Sequence, residues 1–480
     1  MSLIMEKNGI TTAPAATLVL CQTSSGTDLR GVVAKLDRFV VMFEVPDSTS
    51  ILLVSEVLPE CKIVFHERTI YSGRATVRNL MNSGEILICE AALEESCWMD
   101  LQLDPALITN GLLHQKFSDF LQEWQKSYRV LPDYKTVVAD MQTFLTDLRL
   151  WLEQVELSVR SSREANRSKL EREIADRLSP EVFSPLDVLF EKFENIAALV
   201  EKDLQPIHQA YVRRQLQPLL LSAPFAFRSI TKPLGYAGDY EIVNMILRDP
   251  HEGGSLYAKI LNRWFLKQPP AEAHRNRVKY LTERLRDETL RVNAKGKKLK
   301  VLNVGAGPAK EVQDFLEQSV LSNSAELLLL DFNDETLRYG QKVIEDCRRR
   351  YARKTRLQFI KKSVAQLLRG KSRGVASFPA QHYDFVYCAG LLDYLTDAVS
   401  KQLIQILYEN LAPGGLCVVT NVDASNPIQH WLEYILEWSL IYRSSEQMFA
   451  LCPAEAGREN SRVISDITGV NIYLEIRKPD

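Results

Sequence analysis

The chain has 480 residues, enough for about three or four domains. Apolar residues make up 46% and charged residues 25%, the ordinary mixture of a globular protein, which excludes a disulfide scaffold and wholesale disorder. Lys plus Arg number 59 and Asp plus Glu 61, and a net charge of −2 speaks against a chain-wide polyanion partner such as duplex DNA.

The eight Cys include no C-x-x-C pair. Cys21, Cys89, Cys388 and Cys417 stand among apolar neighbours and read as buried reduced thiols, which suits a reducing cytoplasm. No apolar run approaches the length of a membrane span, and the N-terminus lacks the form of a signal peptide. The expectation is a cytoplasmic protein without a transmembrane segment.

Residues 1–14 read as a loose tail. Seven short strand-like runs follow: Thr17–Cys21, Gly31–Ala34, Phe39–Phe43, Ile51–Val54, Lys62–Val64, Thr69–Val77 and Glu85–Ala91. Turn-forming clusters separate them, which predicts a small β-barrel or sandwich over residues 15–102. A helical region is expected over 103–225. Leu112, Phe117, Phe120, Leu121 and Trp124 recur at helical spacing, as do Met141, Phe144, Leu145, Leu148 and Leu152. The charged stretch Ser158–Arg177 reads as a solvated face or connector, and Pro180, Pro185 and Pro206 as interruptions. A third unit is expected over 226–480. It opens with a loop and a helix over Ala271–Val292. From residue 299 strands alternate with helices: Leu299–Val304, Glu326–Leu330, Leu357–Ile360, Asp384–Cys388 and Leu416–Asn421. That order predicts an α/β Rossmann-like core over 299–480, a mostly parallel sheet covered on both faces. Arg462–Thr468 and Val470–Arg477, joined at Gly469, add a C-terminal hairpin.

The strongest chemical signal is Val301-Leu-Asn-Val-Gly305-Ala-Gly307-Pro-Ala-Lys-Glu311. A strand runs into a Gly-x-Gly turn and then a helix, so backbone amides can approach a ligand at the helix start. Asp331 ends the next strand, 24 residues past Gly307, where an acid can accept both hydroxyls of a ribose. The third Gly that a dinucleotide pyrophosphate wants is replaced by Lys310. S-adenosylmethionine has no phosphates and does not need it.

With the hairpin and Leu411-Ala-Pro-Gly-Gly415 added, residues 299–480 resemble a class I S-adenosylmethionine-dependent methyltransferase. More narrowly, about 225–480 resembles the bacterial methyltransferases of extracellular-factor (3-hydroxypalmitic acid methyl ester) biosynthesis. The residues behind this are Lys232-Pro-Leu-Gly-Tyr-Ala-Gly-Asp-Tyr240, His274-Arg-Asn-Arg-Val278, Val304-Gly-Ala-Gly-Pro308 and Trp438-Ser-Leu-Ile-Tyr-Arg443. The resemblance implies methyl transfer from S-adenosyl-L-methionine to an oxygen, in the named case a fatty-acid carboxylate. It also implies a lid at Lys232–Tyr240, for which a packed inter-domain loop is the alternative. Two positions depart from the wider class. The strand-one acid is Asn303, and the acid after strand three is Ser363.

The expected donor contacts are Gly305, Ala306, Gly307 and Pro308 in the turn, and Asp331 and Phe332 after the second strand. Ser363 and Val364 follow the third, Ala389 and Gly390 the fourth, and Tyr236 and Asp239 come from the lid. No metal is expected. The catalytic group is open among three candidates: His430 as a base or a solvated residue, Asp393 as a base or helix cap, and Arg443 as partner of an acceptor carboxylate. Trp431, Tyr434, Ile435, Trp438 and Tyr442 read as a helical stripe, either core or the wall of an acyl site. Between Gln341 and Arg373 there are about twelve Lys or Arg against two acids, a solvated face or the footprint of an acidic partner. An RNA or protein methyltransferase, or a cofactor-sensing signalling adaptor, are therefore the alternative functions. Asn79-Leu-Met-Asn82-Ser83-Gly84 resembles half of the ligand signature of the PilZ family. The paired arginines of the other half are not found before Arg74, so no cyclic dinucleotide is expected and the barrel reads as a scaffold or a dock for a protein partner.

Overall fold

The computed structural model describes residues 17–24, 26–45, 52–65, 68–82, 87–99, 130–161, 167–372 and 382–480, with Ser118 and Phe378. The expected tail over 1–14, the helical run through Leu112, Phe117, Phe120, Leu121 and Trp124, and Ser83-Gly84 lie outside the described residues.

Six antiparallel strands close into a barrel: β1 (Leu18–Gln22), β2 (Asp28–Leu36), β3 (Val40–Val45), β4 (Val57–Phe65), β5 (Arg68–Asn82) and β6 (Leu87–Leu93), in the order β1-β2-β3-β6-β5-β4. Alternation puts Val19, Val41, Phe43, Ile63, Val77 and Cys89 inside. Gly31 is required at one close crossing, because a Cβ there would stand 2.5 Å from the Phe43 ring. The strand expected over Ile51–Val54 is not one. Ile51 is outside the described residues, and Leu52–Glu56 is a loop. Leu52 and Val54 pack into the barrel core, while the half-buried Leu53 packs against the C-terminal domain.

Helices α1 (Pro132–Ser161), α2 (Arg167–Ala197) and α3 (Gln205–Leu220) follow. Tyr134, Val138, Met141 and Leu145 of α1 pack on Phe183, Leu186, Phe190 and Phe193 of α2. Pro180 and Pro185 sit inside α2 and do not end it. The aromatic face they flank is buried, and tertiary packing outweighs the few kcal/mol that an interior proline costs. Pro206 falls in the first turn of α3, where a missing N–H does no harm. The charged stretch is not merely solvated. Glu171 pairs with Lys259 at 2.5 Å, Arg172 with Asp249 at 2.8 Å, and Asp176 with Arg263 at 2.8 Å.

Short helices α4 (Pro224–Thr231), α5 (Tyr240–Leu247) and α6 (Leu256–Lys267) share the core of α1–α3. The long α7 (Pro269–Asn293) then leads into a seven-stranded sheet. Its strands are β7 (Leu299–Val304), β8 (Ala325–Asp331), β9 (Arg356–Lys361), β10 (Tyr383–Cys388), β11 (Leu411–Val422), β12 (Ser461–Ser465) and β13 (Asn471–Arg477). The order is β12-β13-β11-β10-β7-β8-β9. β7 to β11 run parallel, and β13 is antiparallel to β11 and β12. Helices α8 (Lys310–Gln318), α9 (Asp334–Arg350), α10 (Val364–Ser372) and α11 (Asp397–Glu409) cross between strands. Two apolar cores, one on each face, explain why β7, β8, β10 and β11 are apolar almost throughout. The strand order reverses between β7 and β10, which opens a crevice at their carboxyl ends. Among the described residues no helix is long and apolar enough to cross a membrane.

Candidate active site

β7 ends at Val304 and the chain turns through Gly305 (φ 72°) and Gly307 (φ 56°), angles that a side chain disfavours. The amides of Gly305 and Ala306 both donate to the Leu330 carbonyl at 2.9 Å, which ties the turn to β8. Gly307 N donates to Asp331 Oδ2 at 3.1 Å, and Asn333 N to Oδ1 at 3.0 Å. Asp331 is 6% exposed. Burial pushes its carboxyl up, and the backbone donors oppose that shift. A Cβ on Gly307 would meet nothing within 4 Å, so the space above the turn is open.

That space belongs to a cavity of about 270 Å³ at the crevice. Gly305, Ala306, Gly307, Pro308, Asp331, Phe332, Ser363, Val364, Ala389, Gly390 and Tyr236 all line it. Asp239 does not. It caps α5, accepting from Glu241 N and Ile242 N, and its carboxylate is gripped by Arg228 at 2.8 Å. An acid ahead of a helix and gripped by a half-buried arginine serves the loop, not the cavity.

The floor carries polar groups outside the expected donor contacts. Tyr387 donates to Glu311 Oε1 at 2.8 Å, and Asn303 Nδ2 reaches the same oxygen at 3.3 Å. Burial pushes the Glu311 carboxyl up, while the Tyr387 hydroxyl opposes this. A carboxylate therefore stands beside Asn303, where the strand itself lacks one. Above it, Arg277 from α7 donates to the His274 ring at 2.9 Å, and among the described residues it has no carboxylate partner. Burial, then the charges of Arg277 and Arg275, drive His274 well below its ordinary value, so the ring is neutral at pH 7. Arg277 lies over Gly390 (φ 83°), where a Cβ would come within 2.8 Å of its Nη1. A signal for Arg277 existed in His274-Arg-Asn-Arg-Val278. None in the sequence pointed at Leu53, Val54 or Glu56, three barrel residues that also line the cavity.

The three catalytic candidates separate. Asp393 lines the cavity, is 4% exposed, and accepts from Val422 N at 2.7 Å. Burial raises its carboxyl, with Val422, Arg277 and Arg443 acting the other way. It is not a helix cap, since Thr396 holds that place before α11. His430 is absent from the cavity lining. Its Nδ1 meets Glu194 Oε1 of α2 at 2.7 Å at the start of helix α12 (Gln429–Tyr434). Arg443 is 1% exposed and fully engaged, by Asp397 at 2.8 Å, Asn421 Oδ1 at 2.6 Å and the carbonyls of Leu392 and Leu395. No donor is left to meet an acceptor carboxylate.

The expected helical stripe is interrupted. α12 ends at Tyr434, and Glu437 takes φ 55°. Trp431 and Trp438 line the cavity, while Tyr434 and Ile435 pack into the helical core. With Phe225, Ile246, Phe265 and Leu432 they give the cavity one continuous apolar side. The segment Lys232–Tyr240 lies between this side and α9. Tyr236 packs on Phe332 with ring centres 5.1 Å apart and meets Thr336 Oγ1 at 3.2 Å. Among the described residues no group of His, Cys, Asp and Glu could hold a metal ion.

Residues 276–455 match the family model of a methyltransferase domain. No curated protein matches the chain. Among solved structures it is similar to a possible exported protein from Bordetella parapertussis, at 17% identity over 53% of this chain and 86% of that one, TM-score 0.41. It is also similar to magnesium protoporphyrin IX methyltransferase from Synechocystis with bound SAH, at 11% identity over 56% and 99%, TM-score 0.33. An N-methyltransferase from Bradyrhizobium japonicum in complex with S-adenosyl-L-homocysteine follows, at 14% identity over 50% and 98%, TM-score 0.30.

Proposed function

We propose that this S-adenosylmethionine-dependent methyltransferase methylates an oxygen, the carboxylate of a fatty-acid-like acceptor. The observation that carries the reading is a single cavity with two characters. Its polar end holds Asp331, Glu311, Asp393 and Arg277, and its other side is the apolar wall of Phe225, Phe265, Trp431 and Trp438. The polar end fits the donor. Asp331 suits a ribose diol, Phe332 and Val364 a purine face, and Arg277 with Glu311 and Asp393 an amino acid that carries both charges. Bound there, the donor supplies an electrophilic methyl group on a sulfonium.

The chain's own part is to orient and to exclude water. A carboxylate is already ionised at pH 7, so proximity matters more than a general base. Neutral His274 holds the Arg277 guanidinium in place. Tyr236 covers the ribose side, and a dry site strengthens every charge interaction within it. An RNA or protein acceptor has less support. Several charges of the basic segment are engaged locally: Arg349 by Asp346, Lys361 by Asp334, and Arg353 by the Leu316 carbonyl at 2.6 Å. The eight free cysteines suit the cytoplasm. The deciding experiment incubates the full chain with labelled S-adenosylmethionine and a panel of fatty acids, hydroxy acids and RNA. Label in methyl esters supports the reading, and label only in RNA or protein refutes it.

A further inference from the structure

The barrel reaches into the cavity. Ser24, Leu53, Val54 and Glu56 line it together with the glycine turn and Tyr236. Leu53 packs in the apolar cluster that holds Val364 and Leu391, beside the positions assigned above to the purine. Val54 N donates to the Tyr394 carbonyl at 3.3 Å, just after β10.

The same loop holds the lid. Val57 N donates to the Gly235 carbonyl at 2.7 Å, and Gly235 (φ 83°) faces Ser24 so closely that a Cβ would stand 2.9 Å from the Ser24 Cβ. Ser55 Oγ donates to the Ser439 carbonyl at 2.8 Å and accepts from Ser439 N at 2.7 Å. Ser55 does this at φ 63°, a conformation a serine keeps only when its surroundings impose it. Glu56 braces the loop from inside, accepting from Ser24 N at 2.8 Å, Ser24 Oγ at 2.6 Å and Leu53 N at 2.9 Å. The loop is in turn tied to the barrel wall, through Ser55 N to the Val77 carbonyl and Val77 N to the Glu56 carbonyl, both at 2.8 Å.

We infer that the Leu52–Glu56 loop of the barrel is part of the donor-binding site, with Leu53 closing the purine end and the loop fastening Gly235–Tyr236 over the ribose. The barrel is then neither a passive scaffold nor dispensable for donor binding. Seating of the barrel and occupancy of the site are coupled, and by linkage each strengthens the other by the same factor. The inference rests on the donor reading above and adds the barrel to it.

The test uses the full chain and S-adenosylhomocysteine as the probe, followed by calorimetry. Leu53→Ala should bind about 5–30-fold more weakly, the effect of losing the apolar contact of a half-buried leucine. Leu20→Ala, on the exposed outer face of β1, should bind as the parent does. In the parent chain, amide hydrogen exchange across 52–57 should slow when the probe is added. Unchanged affinity in Leu53→Ala overturns the inference. If that variant does not fold, exchange in the parent decides: slowing supports the inference and no change overturns it. A parent chain that does not bind the probe at all overturns the donor reading itself, so the two failures are distinct.

Discussion

Substituting Gly390 by alanine tests the polar end of the site through a contact that only the fold creates. Gly390 adopts φ 83°, and an added Cβ would stand 2.8 Å from Arg277 Nη1, 3.1 Å from Nη2 and 3.2 Å from Cζ. Two effects follow, and they are separable. The left-handed backbone costs about 1–2 kcal/mol of stability, wherever Arg277 goes. The clash is with the end of a flexible side chain, so it resolves by moving the guanidinium out of the cavity. If that guanidinium holds a ligand carboxylate, the loss is that of a charge-assisted hydrogen bond, about 1.5–3 kcal/mol, or roughly 10–150-fold in affinity. Arg277→Met should show the affinity loss without the backbone strain. In that background Gly390→Ala should add almost nothing to it, a non-additivity expected of residues in contact. The assay is calorimetry with S-adenosylhomocysteine for the four proteins, beside KM for the acceptor and denaturant melts. We expect the loss in S-adenosylhomocysteine affinity, which places the carboxylate on the donor. A loss confined to the acceptor KM would place it on the acceptor. If neither quantity changes in Gly390→Ala or Arg277→Met, the guanidinium holds no carboxylate and the reasoning fails.

Asp331→Ala should weaken S-adenosylhomocysteine by about 1.5–3 kcal/mol in the same calorimeter, because a buried acid at the strand end loses its ribose partner. Tyr236→Ala should reduce turnover far more than melting temperature, and exchange over residues 228–242 should slow on donor binding. Arg443→Met should destabilise the fold by about 3–5 kcal/mol in urea, since it strands Asn421 Oδ1 in a dry interior and takes a donor from each of the Leu392 and Leu395 carbonyls. Burial pushes the Glu433 carboxyl up to about 7, against the nearby His430 charge. Its folded state therefore holds a proton that the unfolded state has released, so its contribution to stability falls as pH rises from about 4.5 through 7. Glu433→Gln should remove that slope and melt higher than the parent by about 1–3 kcal/mol at pH 8, with little difference at pH 4. Equal melts at pH 8 would refute this.

The chain's own pattern determined the fold of the C-terminal domain and the outline of the cavity at its glycine turn. Continuous apolar strands alternate with helices, and a glycine turn and an acid sit at fixed distances along the backbone. A strand end feeds directly into the turn, and the parallel pairing of β7 with the next strand, β8, brings Asp331 to Gly305 and Gly307. Tertiary structure decided everything that depends on residues meeting from far apart. Arg443 looked free because it follows an aromatic run, yet β11 and the turn after β10 surround it with acceptors. Asp239 stood beside Gly238 like a ligand contact, yet a neighbouring helix start and Arg228 claim it. Pro180 and Pro185 read as breaks until the aromatic face of α2 found α1. Leu53 sits in an apolar run that read as a strand, and nothing in that run showed that the surface covering it lies in the C-terminal domain. Side-chain spacing encodes which face an element buries, and it does not encode which distant surface will cover that face.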